Sequence, residues 1–263
     1  MGDGEKGMRL TVLGCRGSIP VTDPRMSQFG GNTSCYQVEA SGGKLFLDAG
    51  TGLARAVPDT GPVHIVLSHC HVDHVLGLPM FSALFEEDRE IHLYGRTRNG
   101  LDVPEQIRRL ISPPLWPAEP EEYPARMICH EISFPARIGP FTLEGMETRH
   151  PGGSLALKVT AGGKTLVYAT DFVHTDGEDE RLADFSREAD LLIYDAQYTP
   201  EEFAGKPGFG HSTAEKGLEV LRRSGAKRLL PVHHDPARTD EMLTAREQEL
   251  GVRFAREGDM IEL

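Results

Sequence analysis

Residues 63–74 read Val-His-Ile-Val-Leu-Ser-His-Cys-His-Val-Asp-His, an apolar run that breaks into four potential metal ligands within six positions. Val63–Ser68 has the composition of a buried strand. His69 and His71, two apart on an extended chain, point to one side and can grip one ion through their imidazole nitrogens. Asp73 and His74 fall at a turn into a helix and can present ligands to a second ion nearby. Packing four such groups behind a buried strand is costly unless they find partners. A metal ion supplies them. The strand must therefore deliver its end to a place where polar side chains converge.

The rest of the composition sets the boundaries. With 39% hydrophobic and 26% charged residues, both a core and a hydrated surface are available, which excludes general disorder. A length of 263 residues gives a prior of one to two domains at about 150 residues each. No linker, low-complexity segment or short-period repeat interrupts the chain, so one domain over residues 1–263 is expected, with 1–7 a loose tail. No stretch approaches the roughly 20 apolar residues of a membrane span, and the first residues carry no apolar leader core. A cytoplasmic protein away from membranes is expected. Forty acidic against 28 basic residues leave a net charge of −12, which disfavours long nucleic acids as partners. A small anionic substrate stays compatible if the site itself holds cations. The 4 cysteines are scattered without a C-x-x-C pair, so neither a zinc ribbon nor a disulfide framework is expected. A homodimer is left open.

Apolar, β-rich runs bounded by glycine, proline and aspartate predict strands at Leu10–Leu13, Cys35–Val38, Leu45–Asp48, Val63–Ser68, Ile91–Tyr94 and Ile128–Ile132. Further strands are predicted at Phe141–Met146, Leu155–Val159, Thr165–Ala169, Leu191–Tyr194, Arg228–Val232 and Val252–Phe254. Helical spacing marks Val75–Phe85, Pro104–Ile111, Asp240–Leu250 and Thr213–Arg223, the last with Ser212 as cap, Glu215 completing a capping box and Gly225 as stop. Many strands with a few interspersed helices point to an α/β layered fold. The proline-rich stretch Ser112–Pro124 reads as a rigid loop.

The run His69-x-His71-x-Asp73-His74 resembles the signature of the metallo-β-lactamase superfamily of binuclear hydrolases. That resemblance implies a four-layer αββα sandwich whose remaining ligands come from strand ends further along. Candidates occur in order: His150 before a glycine turn, Asp171 after a hairpin, and His233 ending Leu229–Val232. By resemblance, His69, His71 and His150 hold one divalent cation, Asp73, His74 and His233 the other, and Asp171 bridges them. Zinc is the leading expectation for both ions, with manganese or iron compatible with the same donors. Water shared by the two ions is then the nucleophile.

Three features narrow the branch. The bridging position is Asp171 and not cysteine, and His71 stands where flavodiiron-type oxidoreductases of this fold carry glutamate. Gly210-His211-Ser212-Thr213 resembles the His-Ser-Thr element of the ribonuclease Z and cyclic phosphodiesterase branch. There the histidine acts as general acid or contacts the phosphate, and His211 inherits that catalytic role by resemblance. The segments Gly14–Pro20, Gly30–Cys35 and Leu47–Gly52 resemble the opening of the same group, with Asp48 supporting the ligand loop. Asn32 and Ser34 are either polar contacts near the site or loop hydrogen-bonders.

Of the pair His233-His234, resemblance favours His233 as ligand and leaves His234 as a ligand-supporting or substrate-facing residue. Trp116 and Phe209 either stack on a base or sugar or plug a loop onto the core. Ser212 is a further candidate substrate contact. The interval between Asp171 and His211 contains the acidic Asp176–Arg187 and no long basic arm, which disfavours transfer-RNA processing. The expected activity is binuclear hydrolysis of a small phosphodiester of the cyclic nucleotide or cyclic ribose phosphate type. Alternatives are thioester or lactone hydrolysis on the same ions, ribonuclease Z-like RNA processing, or a metal-stabilised sensing domain without catalysis.

Overall fold

A computed structural model describes residues 7–206 and 208–263. Of the tail expected over residues 1–7, only Gly7 lies within the described residues. One sheet begins with β1 (Arg9–Gly14), β2 (Cys35–Ala40) and β3 (Gly43–Leu47), paired antiparallel. It continues through β4 (Val63–Val66), β5 (Glu90–Gly95) and β6 (Arg126–Glu131), each parallel to its neighbour. The second sheet runs in chain order through β7 (Ala136–Ile138), β8 (Phe141–Thr148), β9 (Ser154–Ala161), β10 (Lys164–Ala169), β11 (Leu191–Asp195) and β12 (Leu229–Val232). Its first four strands are antiparallel and its last two join in parallel. The C-terminal β13 (Met260–Glu262) closes back on β1.

Alternation decides which side chains face which layer. Leu10, Val12, Val38 and Leu47 meet Leu143, Leu157, Tyr168 and Ile193 between the two sheets. The opposite face of the first sheet, with Ile65, Ile91 and Leu93, is covered by Leu78, Phe81 and the helix α2 described below. The outer face of the second sheet, with Val167, Leu192 and Tyr194, is covered by Leu182 and Val220. Helix layer, sheet, sheet, helix layer: this is the αββα sandwich of the metallo-β-lactamase fold.

Local chemistry explains the helices. α1 (Val72–Val75) is a single turn entered through His71. α2 (Val103–Leu110) starts in a complete capping box of Asp102 and Glu105. α3 (Asp176–Phe185) is capped by Thr175 and carries Asp176, Glu178 and Asp179 in its first turn, where acidic groups suit the helix dipole. α4 (Pro200–Ala204), α5 (Ala214–Ser224) and α6 (Asp240–Leu250) complete the set.

Several sequence expectations need correction. Val75–Phe85 is not one helix but α1 followed by 3₁₀ turns at Leu78–Met80 and Ser82–Phe85. Pro79 lacks the N–H that a continuous helix needs, yet Val75, Leu78, Phe81 and Leu84 are still buried at near-helical spacing. Val252–Phe254 is no strand, because the Phe254 N–H donates to the Glu247 side chain, and the final strand falls at Met260–Glu262. The cap of α5 is Thr213, whose side chain accepts from the Lys216 N–H, and not Ser212. Gly225 does terminate that helix, in the left-handed conformation that glycine adopts without strain.

Candidate metal centre

The candidate ligands gather at strand ends on one rim of the sandwich. β4 delivers His69 and His71, and α1 presents Asp73 and His74. His150 follows β8, Asp171 follows β10, and His233 follows β12. Asp171 and His233 hold left-handed backbone angles, φ 51° and 63°. Such angles are uncommon outside glycine and cluster at functional sites.

Two sets of donors meet at Asp171. His69, His71, His150 and Asp171 offer atoms within 4.8 Å of one another, as do Asp73, His74 and His233. His69 Nε2 and His150 Nε2 lie 3.7 and 3.5 Å from Asp171 Oδ1, and His71 Nδ1 lies 3.0 Å from His150 Nε2. On the other side, His74 Nε2 and His233 Nε2 lie 3.0 and 3.3 Å from Asp171 Oδ2. They lie 3.4 and 3.1 Å from Asp73 Oδ2. Zinc–nitrogen bonds of about 2.0–2.1 Å in a tetrahedron place ligands about 3.3 Å apart, so the spacing fits cation coordination.

Tautomers explain why the nitrogens point inward. A carboxylate or amide oxygen only accepts. His74 Nδ1–H therefore donates to Asp48 Oδ2 at 2.7 Å, and His233 Nδ1–H to Gln197 Oε1 at 2.9 Å. His150 Nδ1–H donates to the Gly210 carbonyl at 2.9 Å. Ser68 Oγ–H donates to Asp48 Oδ2 at 2.8 Å and is free to accept from His69 Nδ1–H at 3.1 Å. Each anchored ring thus turns its Nε2 toward the cluster. That of neutral His69 is buried without a hydrogen-bond partner, a costly state that a bound cation would relieve. The residues present fit a metal site.

Electrostatics divides the cluster. Burial pulls the pKa values of His69, His71 and His150 down, so these rings are neutral and ready to ligate. At His74 and His233 burial acts the same way, but the carboxylates of Asp171 and Asp73 outweigh it. They hold His74 well above the usual histidine range and His233 at about 9. Burial in turn favours the neutral acids of Asp73 and Asp171, but the neighbouring histidines outweigh it and keep both pKa values well below the carboxylate range.

His211 lies against this cluster: its ring stacks on His233 with centroids 4.8 Å apart, and its Nδ1 is 3.8 Å from Asp171 Oδ1. Its Nδ1–H donates to Asp195 Oδ2 at 2.9 Å. Asp195, the buried end of β11, was missed in the sequence, although an apolar run ending in aspartate also produces Asp48. Gln197 was missed as well. Asp48 behaves as expected: its carboxylate receives His74, the Ser68 N–H at 2.7 Å, the Ser68 hydroxyl and the Tyr168 hydroxyl at 2.6 Å.

The expected substrate contacts fare differently. His234 is corrected: it is fully buried, its Nε2–H donates to the Ala255 carbonyl at 2.8 Å, and Phe29 and Phe254 flank its ring. The left-handed backbone at His233 turns the two neighbours in opposite directions. Ser212 is corrected too, because its hydroxyl is buried 2.8 Å from the Tyr194 hydroxyl. Trp116 packs on the outer core and donates to the Tyr123 hydroxyl at 2.7 Å, so it plugs its loop. Phe209 is exposed next to Gly210. Asn32 bonds the Glu257 carboxylate, a loop contact, and the Ser34 hydroxyl is buried without a hydrogen-bond partner.

Fold and cluster together define a metal-binding hydrolase of the metallo-β-lactamase type. The chain belongs to the beta-lactamase superfamily, whose domain model matches residues 44–234. It is similar to the probable metallo-hydrolase YhfI of Bacillus subtilis, 26% identical over 237 residues and covering 86% of each chain. It is also similar to ribonuclease Z of Haloarcula marismortui, 25% identical over 277 residues with 86% of each covered. The crystal structure of Bacillus subtilis YhfI superposes with a TM-score of 0.74 at 23% identity, covering 98% of this chain and 100% of that one. Human tRNase Z, short form, gives 0.68 at 20% identity, covering 96% and 98%. Among the described residues no helix is long and apolar enough to cross a membrane.

Proposed function

We propose that the chain hydrolyses a small phosphodiester, of the cyclic nucleotide or cyclic ribose phosphate type, using two divalent cations, zinc foremost. The observation that carries this reading is the His211–Asp195 pair, a protonatable ring fixed against the ligand cluster yet anchored away from it at 2.9 Å. Simple metal storage needs no such group. When bound, a pair of divalent cations supplies Lewis acidity toward phosphoryl oxygens and makes water acidic enough to attack near neutral pH.

His69, His71 and His150 form one donor set and Asp73, His74 and His233 the other. Asp171, with one oxygen turned toward each set, is suited to bridge them. Asp195 fixes the His211 proton on Nδ1 in the neutral ring, so the proton that His211 can deliver sits on Nε2. From there it passes to the leaving alkoxide. Asp48 holds His74 directly and His69 through Ser68, which fixes both rings before substrate arrives.

A small substrate is favoured over a long RNA by charge and by chain length. The net charge is −12, and the described residues between Asp171 and His211 fold into α3, β11 and α4 with short connections. The similarity to a ribonuclease Z supports phosphoester chemistry. The test is a panel of bis-p-nitrophenyl phosphate, cyclic nucleotides and acyl esters with the metal-loaded protein. Phosphodiester turnover is expected, and cleavage confined to acyl esters overturns the reading.

A further inference from the structure

Beside His69 and His71 opens a cavity of about 320 Å³ that extends to Arg98 and Arg109. We propose that this cavity is a subsite for a second anionic group of the substrate, a phosphate or carboxylate, and that Arg98 is its anchor. The proposal rests on the phosphodiester reading above and adds to it a substrate class: a phosphodiester that carries another negative charge.

Charge supports it first. The whole chain has 40 acidic against 28 basic residues, yet none of the fourteen residues lining this cavity is acidic and two are arginines. The guanidinium of Arg98 supports it further. Its Nη1 pairs with Glu147 Oε2 at 2.7 Å, but its Nε and Nη2 are buried and have no hydrogen-bond partner. A permanently charged fork with idle N–H groups matches the two oxygens of a phosphate or carboxylate.

The anchor is also preorganised. Arg98 and Leu101 exchange both backbone hydrogen bonds, at 3.0 and 2.9 Å, around Asn99 and Gly100. Those two residues have φ 51° and 77°, as the tight Asn-Gly turn requires. Gln106 of α2 ties the turn down by donating to the carbonyls of Arg96 and Leu101. Opposite, Gly153 leaves room for the guanidinium, since a Cβ there would stand 2.8 Å from Nη1. Val72, Leu101, Leu110 and Leu115 add an apolar wall to the cavity, suited to a sugar or base between the two anions.

The test compares two dinucleotides, TpT and its 5′-phosphorylated form pTpT, with metal-loaded wild type, Arg98→Met and Arg98→Lys. A lost charged hydrogen bond is worth about tenfold to a hundredfold. Arg98→Met is expected to lose that factor in kcat/KM on pTpT and to stay within about twofold on TpT, with Arg98→Lys between. Equal losses on both substrates, or none on pTpT, overturn the subsite. Calorimetric binding of thymidine 3′,5′-bisphosphate, against thymidine 5′-monophosphate, reads the same subsite without turnover. Arg98→Met should weaken only the bisphosphate, and equal binding by both proteins sinks the proposal. If wild type cleaves neither dinucleotide, the binding ratio still decides the subsite, while the phosphodiester reading stands or falls on the panel above.

Discussion

Asp195 Oδ2 accepts the Nδ1–H of His211 at 2.9 Å, while Asp195 Oδ1 accepts the backbone N–H groups of Gln197 and Ser212 at 3.1 and 3.2 Å. The carboxylate is thus fixed from two sides and fixes the ring in turn. His211→Ala is expected to lower kcat by about 10²- to 10⁴-fold. Asp195→Asn, which keeps the shape but offers an N–H or a neutral oxygen, is expected to cost about tenfold or more. Metal content should match wild type in both. Steady-state kinetics on bis-p-nitrophenyl phosphate beside metal analysis checks this; unchanged kcat in His211→Ala removes the proposed acid.

Asp48 touches no other candidate donor than His74, yet it receives four hydrogen bonds, from Ser68 twice, His74 and Tyr168. Asp48→Asn is expected to weaken metal binding by about 10- to 100-fold. Competition with a chromophoric chelator measures it. An affinity equal to wild type would show that His74 and His69 need no such support.

Metal uptake should depend on pH with a definite sign. Without cations, Asp171 and Asp73 keep His74 protonated and raise His233 to about 9. Both must lose a proton to ligate. Loading at pH 7 is therefore expected to release about two protons, and apparent affinity should rise with pH from 7 through about 9, where His233 titrates. Calorimetry in buffers of different ionisation enthalpy counts the protons; a count of zero contradicts the assignment of these two rings.

Asp179, buried in the first turn of α3, has a pKa pushed up to about 6 by burial, with Lys216 and Arg223 opposing and Glu219 and Asp176 assisting the rise. Its folded value exceeds the ordinary 3.8, so its contribution to stability is present below about 3.8 and lost as pH rises through about 6. Asp179→Asn mimics the protonated acid. Its Tm is expected to exceed that of wild type at pH 8 and to match it at pH 4, as thermal melts at the two values would show.

Most strands were legible because an alternating or apolar run must be buried, and nearly every such run found a sheet. The exception, Val252–Phe254, is apolar because Phe254 packs into a small cluster with Phe29 and Leu243, and burial alone does not make a ladder. The helix expected over Val75–Phe85 failed for the converse reason: its spacing was right, but Pro79 broke the hydrogen bonds. The four contiguous candidates His69, His71, Asp73 and His74 were visible because they share one turn of chain. Asp195 and Gln197 were not, since their partners His211 and His233 lie far along the sequence. Arg98 escaped notice because an arginine in a turn looks like surface until the Gly153 loop is seen against it.

The donors come from two sources. His69, His71, Asp73 and His74 belong to the rim of the first sheet, whereas His150, Asp171 and His233 belong to the second. Neither half of the sandwich owns a full coordination sphere. Cations bound here would rivet one sheet to the other, so loading must await the docking of both halves during folding. Loosening the core shared by the two sheets, as by truncating Leu157, would then surface as leaky metal retention well before the protein unfolds.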